Sequence, residues 1–240
     1  MRYLAECREF FGQFRREHNN TGSIMPSSRS LARALAGPLA QAVAAGGPNA
    51  PPRWILEVGP GTGAVTAEIV KQLGPDDRLD IVEINAHFVA VLKRRFAEEP
   101  EFFKHREQVQ LIHAPLQEVP GHGNYDFMIS GLPLNNFPLR LVREIYENYE
   151  RLLKPGGVLS YFEYLGIRAL KMPFVTRYER RRLKVLGRFL GRRIQRYEIG
   201  RKKVFWNMPP AIARHLRFTA TREEGEKGKK GEAELLRPRT

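Results

Sequence analysis

Short apolar runs alternate with amphipathic stretches through the middle of the chain. Residues 55–58, 79–82, 109–112, 125–130 and 158–164 are rich in Val, Ile, Leu and aromatic side chains, as expected of strands buried on both faces. Between them, residues 64–73, 87–97 and 139–153 repeat apolar positions at helical spacing. Upstream, residues 31–45 predict a helix with Ser27 or Ser28 as N-cap, and the Pro- and Gly-rich stretch 46–52 predicts a surface connection. Downstream, Leu183, Leu186, Phe189 and Leu190 mark one side of a helix within 168–193, and residues 192–206 suit two closing strands. Such alternation specifies an α/β fold with a doubly wound, mostly parallel sheet whose ligands lie at the carboxyl ends of the strands.

The two ends of the chain differ from this pattern. Residues 1–18 predict an amphipathic helix with Leu4, Cys7, Phe10, Phe11 and Phe14 at helical spacing and arginines on other faces. It fits packing on its own domain and burial in a membrane interface equally well. Residues 219–240 lack aromatics, are rich in Glu, Lys and Gly, and predict a disordered tail. The expected organisation is an N-terminal helix and cap (1–45), one α/β domain (46–218) with a basic insertion around 168–193, and the tail.

Candidate chemistry concentrates where the first strand ends. Glu57-Val-Gly59-Pro-Gly61-Thr-Gly63 places three glycines at every second residue between a strand and a helix. There the backbone must turn tightly and a ligand can approach it without meeting side chains. The helix that follows offers unpaired N–H groups to a polar or anionic group. Glu83 closes the second strand, and a carboxylate at that position suits a ribose diol, because it accepts hydrogen bonds from both hydroxyls. A nicotinamide site prefers G-x-G-x-x-G, and Ala64-Val65 does not supply its third glycine.

The pattern E-x-G-x-G-x-G with an acidic end to the next strand resembles the class I S-adenosylmethionine-dependent methyltransferases. Lys154-Pro-Gly-Gly157 before the fifth strand is also common among them. Two further stretches, T-G-S-I-x-P-S-S at 21–28 and S-G-L-P-L-N-N-F at 130–137, resemble the bacterial phospholipid N-methyltransferases, over roughly residues 1 to 210. The resemblance implies a seven-stranded Rossmann-like sheet ending in an antiparallel hairpin. It also implies S-adenosylmethionine as cofactor, S-adenosylhomocysteine as product, and stepwise N-methylation of phosphatidylethanolamine towards phosphatidylcholine. Glu57, Gly59, Gly61, Gly63, Glu83 and Ser130 are then expected to hold the cofactor. Ala114 stands where an Asp often contacts adenine, which leaves main-chain groups from Ala114 to Leu116 for that contact. Asn135 and Tyr164 are the expected catalytic residues, orienting the headgroup amine and contacting it by hydrogen bond or cation–π interaction. His18 and His113 are further candidate proton acceptors. The rRNA adenine dimethyltransferases share the fold and a related N-L-P-Y-type motif, so RNA is the alternative acceptor.

Charge extends this picture. The net charge of +14 implies an anionic partner, and residues 168–203 hold fourteen Lys and Arg against only Glu179 and Glu198. An anionic membrane surface, met by the N-terminal helix and this basic segment, is the expected partner besides the phospholipid itself, with nucleic acid as the alternative. The single Cys7 excludes an internal disulfide, and no apolar run approaches the roughly 20 residues that cross a bilayer. The histidines and Cys7 show no metal-ligand spacing. A monomer, peripheral on the cytoplasmic face of the inner membrane, is expected.

Overall fold

The computed structural model describes residues 29–47, 50–134, 137–165, 177–207 and 209–218. The helix expected at 1–18, His18, the stretch 21–28, Asn135 and the tail lie outside these. A seven-stranded sheet runs through the molecule in the order β3-β2-β1-β4-β5-β7-β6. Its strands are β1 (Trp54–Val58), β2 (Arg78–Val82), β3 (Val109–Ile112), β4 (Tyr125–Ser130), β5 (Leu153–Tyr164), β6 (Glu198–Val204) and β7 (Ala211–Arg217). The first five are mutually parallel, and β7 is antiparallel to both β5 and β6. The order reverses beside β1, between β2 and β4, and such a switch point opens a crevice at the carboxyl ends of the strands.

Helices cover both faces. Helix α1 (Arg29–Leu35) and the first half of α2 (Gly37–Gly46) pack Leu31, Leu35 and Leu39 with Ile55, Ile69, Leu79 and Ile81 on one face. Residues 31–45 thus form two helices, because Gly37-Pro38 restarts the helix after Ala36. The same face receives α3 (Thr66–Val70) and α4 (Ala86–Glu98), the latter capped by Asn85 Oδ1 accepting from the His87 amide at 2.9 Å. A one-turn helix, α5 (Pro100–Phe103), follows it and brings Phe102 against Phe96. On the other face, α6 (Leu139–Leu152) buries Leu141, Val142, Ile145, Tyr146, Tyr149 and Leu152, the stripe its spacing predicts. Beside it, α7 (Arg177–Tyr197) turns Leu183, Leu186, Phe189 and Leu190 inwards, as expected.

Three boundaries depart from the sequence expectation. The helix at 64–73 shortens to Thr66–Val70. β5 begins at Leu153, which pairs with Tyr125, and Gly156 takes φ of 81° so that Lys154-Pro-Gly-Gly157 is absorbed as an irregularity in the strand. The closing hairpin lies at 198–217 instead of 192–206. Ile194 and Tyr197 continue the apolar face of α7, so the helix runs on to Tyr197.

Candidate active site

Strand register creates the site. Val58 pairs with Val82 and with Ser130, and Val82 pairs with Ile112, so four carboxyl ends stand level. The residues that follow them continue the ladder by one step. The Gly59 amide donates to Val82 O at 2.9 Å, Glu83 to Ile112 O at 3.0 Å and Gly131 to Val58 O at 2.8 Å. Gly59, Glu83, Ala114 and Leu116 thereby line one cleft of about 460 Å³, part of it open to solvent. Its walls are otherwise apolar, with Ile84, Leu132, Leu141 and Ile145 among them and Gln117 as a polar side chain. These residues were not singled out by the sequence, although Leu132 belongs to the G-L-P-L stretch and the α6 pair to its buried stripe.

The glycine turn is built for close approach. Gly59, Gly61 and Gly63 take φ of 67°, 61° and 85°, which other residues rarely adopt. A Cβ on Gly131 would stand 2.5 Å from Gly59 O, so the two loops pack backbone against backbone. Glu83 ties the rim together, accepting from the Asn85 amide at 2.8 Å and from the Gly61 amide at 3.3 Å. Its carboxylate therefore sits against the glycine turn beside the cleft.

Glu57 lies beneath that turn and is 1% exposed. Its Oε2 accepts from Thr66 Oγ1 at 2.7 Å, while Oε1 is buried with no hydrogen-bond partner among the described residues. Burial pushes its carboxyl up to about 8, with neighbouring Glu83 adding to the rise and the Thr66 hydrogen bond opposing it. Ser130 is fully buried, sharing a 2.6 Å hydrogen bond with the Tyr149 hydroxyl and accepting from the Leu132 amide at 3.2 Å. It shapes the turn after β4 and stands behind the cleft wall.

Tyr164 is the last residue of β5, with its ring edge-on to Phe162 at 5.1 Å and its hydroxyl raised above the usual phenol range by burial. The strand carries it three residues past Tyr161, the partner of Ser130. His113 is exposed, with Nε2 3.3 Å from Ile84 O. The structure thus gathers Glu57, the three glycines, Glu83, Ala114 and Leu116 around one rim, with Ser130 supporting it and Tyr164 further along the sheet.

This arrangement fits an adenosine-bearing cofactor. The cleft offers apolar walls for a base and a carboxylate for a diol, and beside it lie the glycine-rich turn and, beneath that, the buried Glu57 Oε1 with hydrogen-bonding capacity to spare.

The comparisons agree. The family model for the methyltransferase domain matches residues 55–157. Over 151 residues the chain is 30% identical to an ornithine lipid N-methyltransferase of Singulisphaera acidiphila, covering 63% of this chain and 74% of that relative. It is 34% identical over 107 residues to ribosomal RNA small subunit methyltransferase A of a Synechococcus species, covering 43% of this chain and 38% of that protein. In fold it is similar to the Burkholderia thailandensis 1,6-didemethyltoxoflavin N1-methyltransferase, whose crystal structure holds S-adenosylhomocysteine. The TM-score is 0.55 at 15% identity, over 91% of this chain and 90% of that one. With this sheet order and glycine turn, the chain belongs to the S-adenosylmethionine-dependent methyltransferases.

Proposed function

We propose that this methyltransferase N-methylates the amine of a phospholipid headgroup, converting phosphatidylethanolamine towards phosphatidylcholine at an anionic membrane surface. The observation that carries the reading is the 30% identity to an ornithine lipid N-methyltransferase over 74% of that relative's length. Both acceptors are lipids with an amine in the headgroup. The match to the ribosomal RNA enzyme covers a smaller share of both chains, which favours the lipid over the RNA reading.

When bound, S-adenosylmethionine supplies an electrophilic methyl group. Glu83 would accept its ribose hydroxyls, main-chain groups from Ala114 to Leu116 would contact adenine, and Gly59, Gly61 and Gly63 would present bare backbone to it. Glu57 Oε1 is placed to pair with a polar group that enters beside the turn, as a donor while the carboxyl keeps its proton and as an acceptor once the proton is lost. Attack by an amine needs alignment and removal of one ammonium proton more than covalent help. Asn135, outside the described residues, is assigned to orient that ammonium, and Tyr164 to contact the headgroup as methyls accumulate. Among the described residues no helix is long and apolar enough to cross a membrane, so contact with the lipid is assigned to the surface, through residues 1–18 and the basic segment.

The test is transfer of labelled methyl with two acceptors in parallel, phosphatidylethanolamine vesicles doped with phosphatidylglycerol and total RNA. Label in mono-, di- and trimethylated headgroups supports the proposal. Label confined to RNA overturns it in favour of a nucleic-acid methyltransferase.

A further inference from the structure

The most exposed of the large apolar side chains among the described residues form a pair at one turn. Phe205 is 66% exposed and Trp206 90%, between β6 and β7. Large aromatics are seldom left this open in a turn without a surface to meet. The turn itself is well held. The buried Asn207 donates through Nδ2 to Pro209 O at 2.8 Å, and Pro209 and Pro210 stiffen the return. The exposed Arg201, Lys202 and Lys203 stand one residue before it on edge strand β6, separated from it by the buried Val204, and Ile199 of that strand is 49% exposed.

Topology decides where this tip points. β7 is antiparallel to β5 and to β6, so β6 runs in the direction of β5, β4 and β1. The turn after β6 therefore leaves the sheet at its carboxyl rim, the rim that carries Gly59, Glu83 and Gly131. Two contacts agree with this. Ala211 pairs with both Val204 and Tyr164, and the Leu165 amide donates to Pro210 O at 2.7 Å.

We infer that Phe205 and Trp206 are an interfacial anchor that enters an anionic lipid surface, with Arg201, Lys202 and Lys203 meeting its headgroups. Indole and phenyl rings beside cationic side chains match the two layers of that surface, headgroup phosphates outside and acyl chains beneath. An anchor on this rim brings the open end of the cofactor cleft to the membrane plane, where a headgroup amine must arrive. The inference rests on the lipid reading proposed above and adds the element that orients the enzyme on its substrate.

The chain has two tryptophans, Trp54 and Trp206, and they mark opposite ends of the sheet, since Trp54 opens β1. A Trp54→Phe protein leaves Trp206 as the sole tryptophan, excited selectively over tyrosine, with an unaltered tip. On phosphatidylethanolamine–phosphatidylglycerol vesicles its emission is expected to shift to the blue and to be quenched by brominated acyl chains. In the Trp206→Phe protein, Trp54 is expected to stay unquenched. Phe205→Ser with Trp206→Ser is expected to weaken vesicle binding about tenfold while cofactor binding is retained.

Unquenched Trp206 on vesicle-bound protein overturns the anchor. So does failure to bind the vesicles, and so does burial of Trp206 through self-association without lipid. Labelled headgroups without quenching sink the anchor alone, whereas quenching without labelled lipid upholds the anchor and sinks the proposed function.

Discussion

Arg95 on α4 donates through Nη1 to Gly63 O at 2.9 Å, and the same nitrogen reaches Thr62 O at 2.8 Å. One guanidinium thus holds two successive carbonyls of the glycine turn. Because peptide units are planar, fixing those carbonyls also fixes where the N–H groups beyond them point. Arg95 is itself held by Glu99 at 2.7 and 2.9 Å and by the Phe102 ring 4.1 Å beneath it.

Arg95→Ala is therefore expected to weaken S-adenosylmethionine binding about tenfold with little change in acceptor KM. Arg95→Lys should recover only part of the loss, since an ammonium lacks the planar fork. Calorimetric titration with S-adenosylhomocysteine checks this, and an unchanged Kd in Arg95→Ala would falsify it.

Gly131→Ala should be among the most damaging small substitutions. Its Cβ would meet Gly59 O at 2.5 Å, a backbone atom of the loop that lines the cleft. A loss of Tm of about 5 °C or more is expected together with loss of cofactor binding. Gly191, an exposed position of α7 with nothing within 4 Å of its would-be Cβ, is the contrast. Gly191→Ala should stabilise by about 0.5–1 kcal/mol, read by denaturant unfolding.

Glu57 should make stability fall as pH rises. Its carboxyl keeps a proton up to about 8 in the folded chain against the ordinary 4.5, because burial disfavours the charge. The folded state thus binds the extra proton between these values, and stability declines across that window and levels off above it. Glu57→Gln should flatten the slope, so that the Tm difference from the parent grows from pH 5 to pH 8. A constant difference across that range would exclude the assignment.

His215 works in the opposite sense at acid pH. Buried at the β5–β7 pairing with Nδ1 2.8 Å from Ser160 Oγ, its imidazole is pushed down from 6.5 to about 4 by burial, with Glu198 opposing. The unfolded chain then binds the extra proton between those values, so stability present above 6.5 is lost as pH falls towards 4. His215→Gln should remove that acid limb while leaving stability at pH 8 less affected. Thermal melts of both proteins between pH 4 and pH 8 measure it, and parallel curves would refute it.

Much of the fold was already written in local patterns. The runs at 55–58, 79–82, 109–112 and 125–130 became β1 to β4, because strands covered by helices on both faces are mostly apolar, each run here holding only one acidic or amide side chain. The stripe in α6 and the glycines after β1 were equally plain, since helical periodicity and positive φ each leave a direct mark on residue choice. Local pattern misled at 192–206, where arginines hid the continuing Ile194 and Tyr197 face of α7.

By itself the sequence determined that this chain builds strands and helices in alternation, ends the first strand in a glycine-rich turn and sets acidic side chains at Glu57 and Glu83. Tertiary structure alone decided what those features face. It set the register that brings Gly59, Glu83, Ala114 and Gly131 to one level, the reach of Arg95 across to Gly63, and the emergence of Trp206 on the rim that carries the cleft. Each of these joins residues from different strands or helices. Periodicity records which side of its own element a residue takes, whereas strand order, direction and packing choose its neighbours.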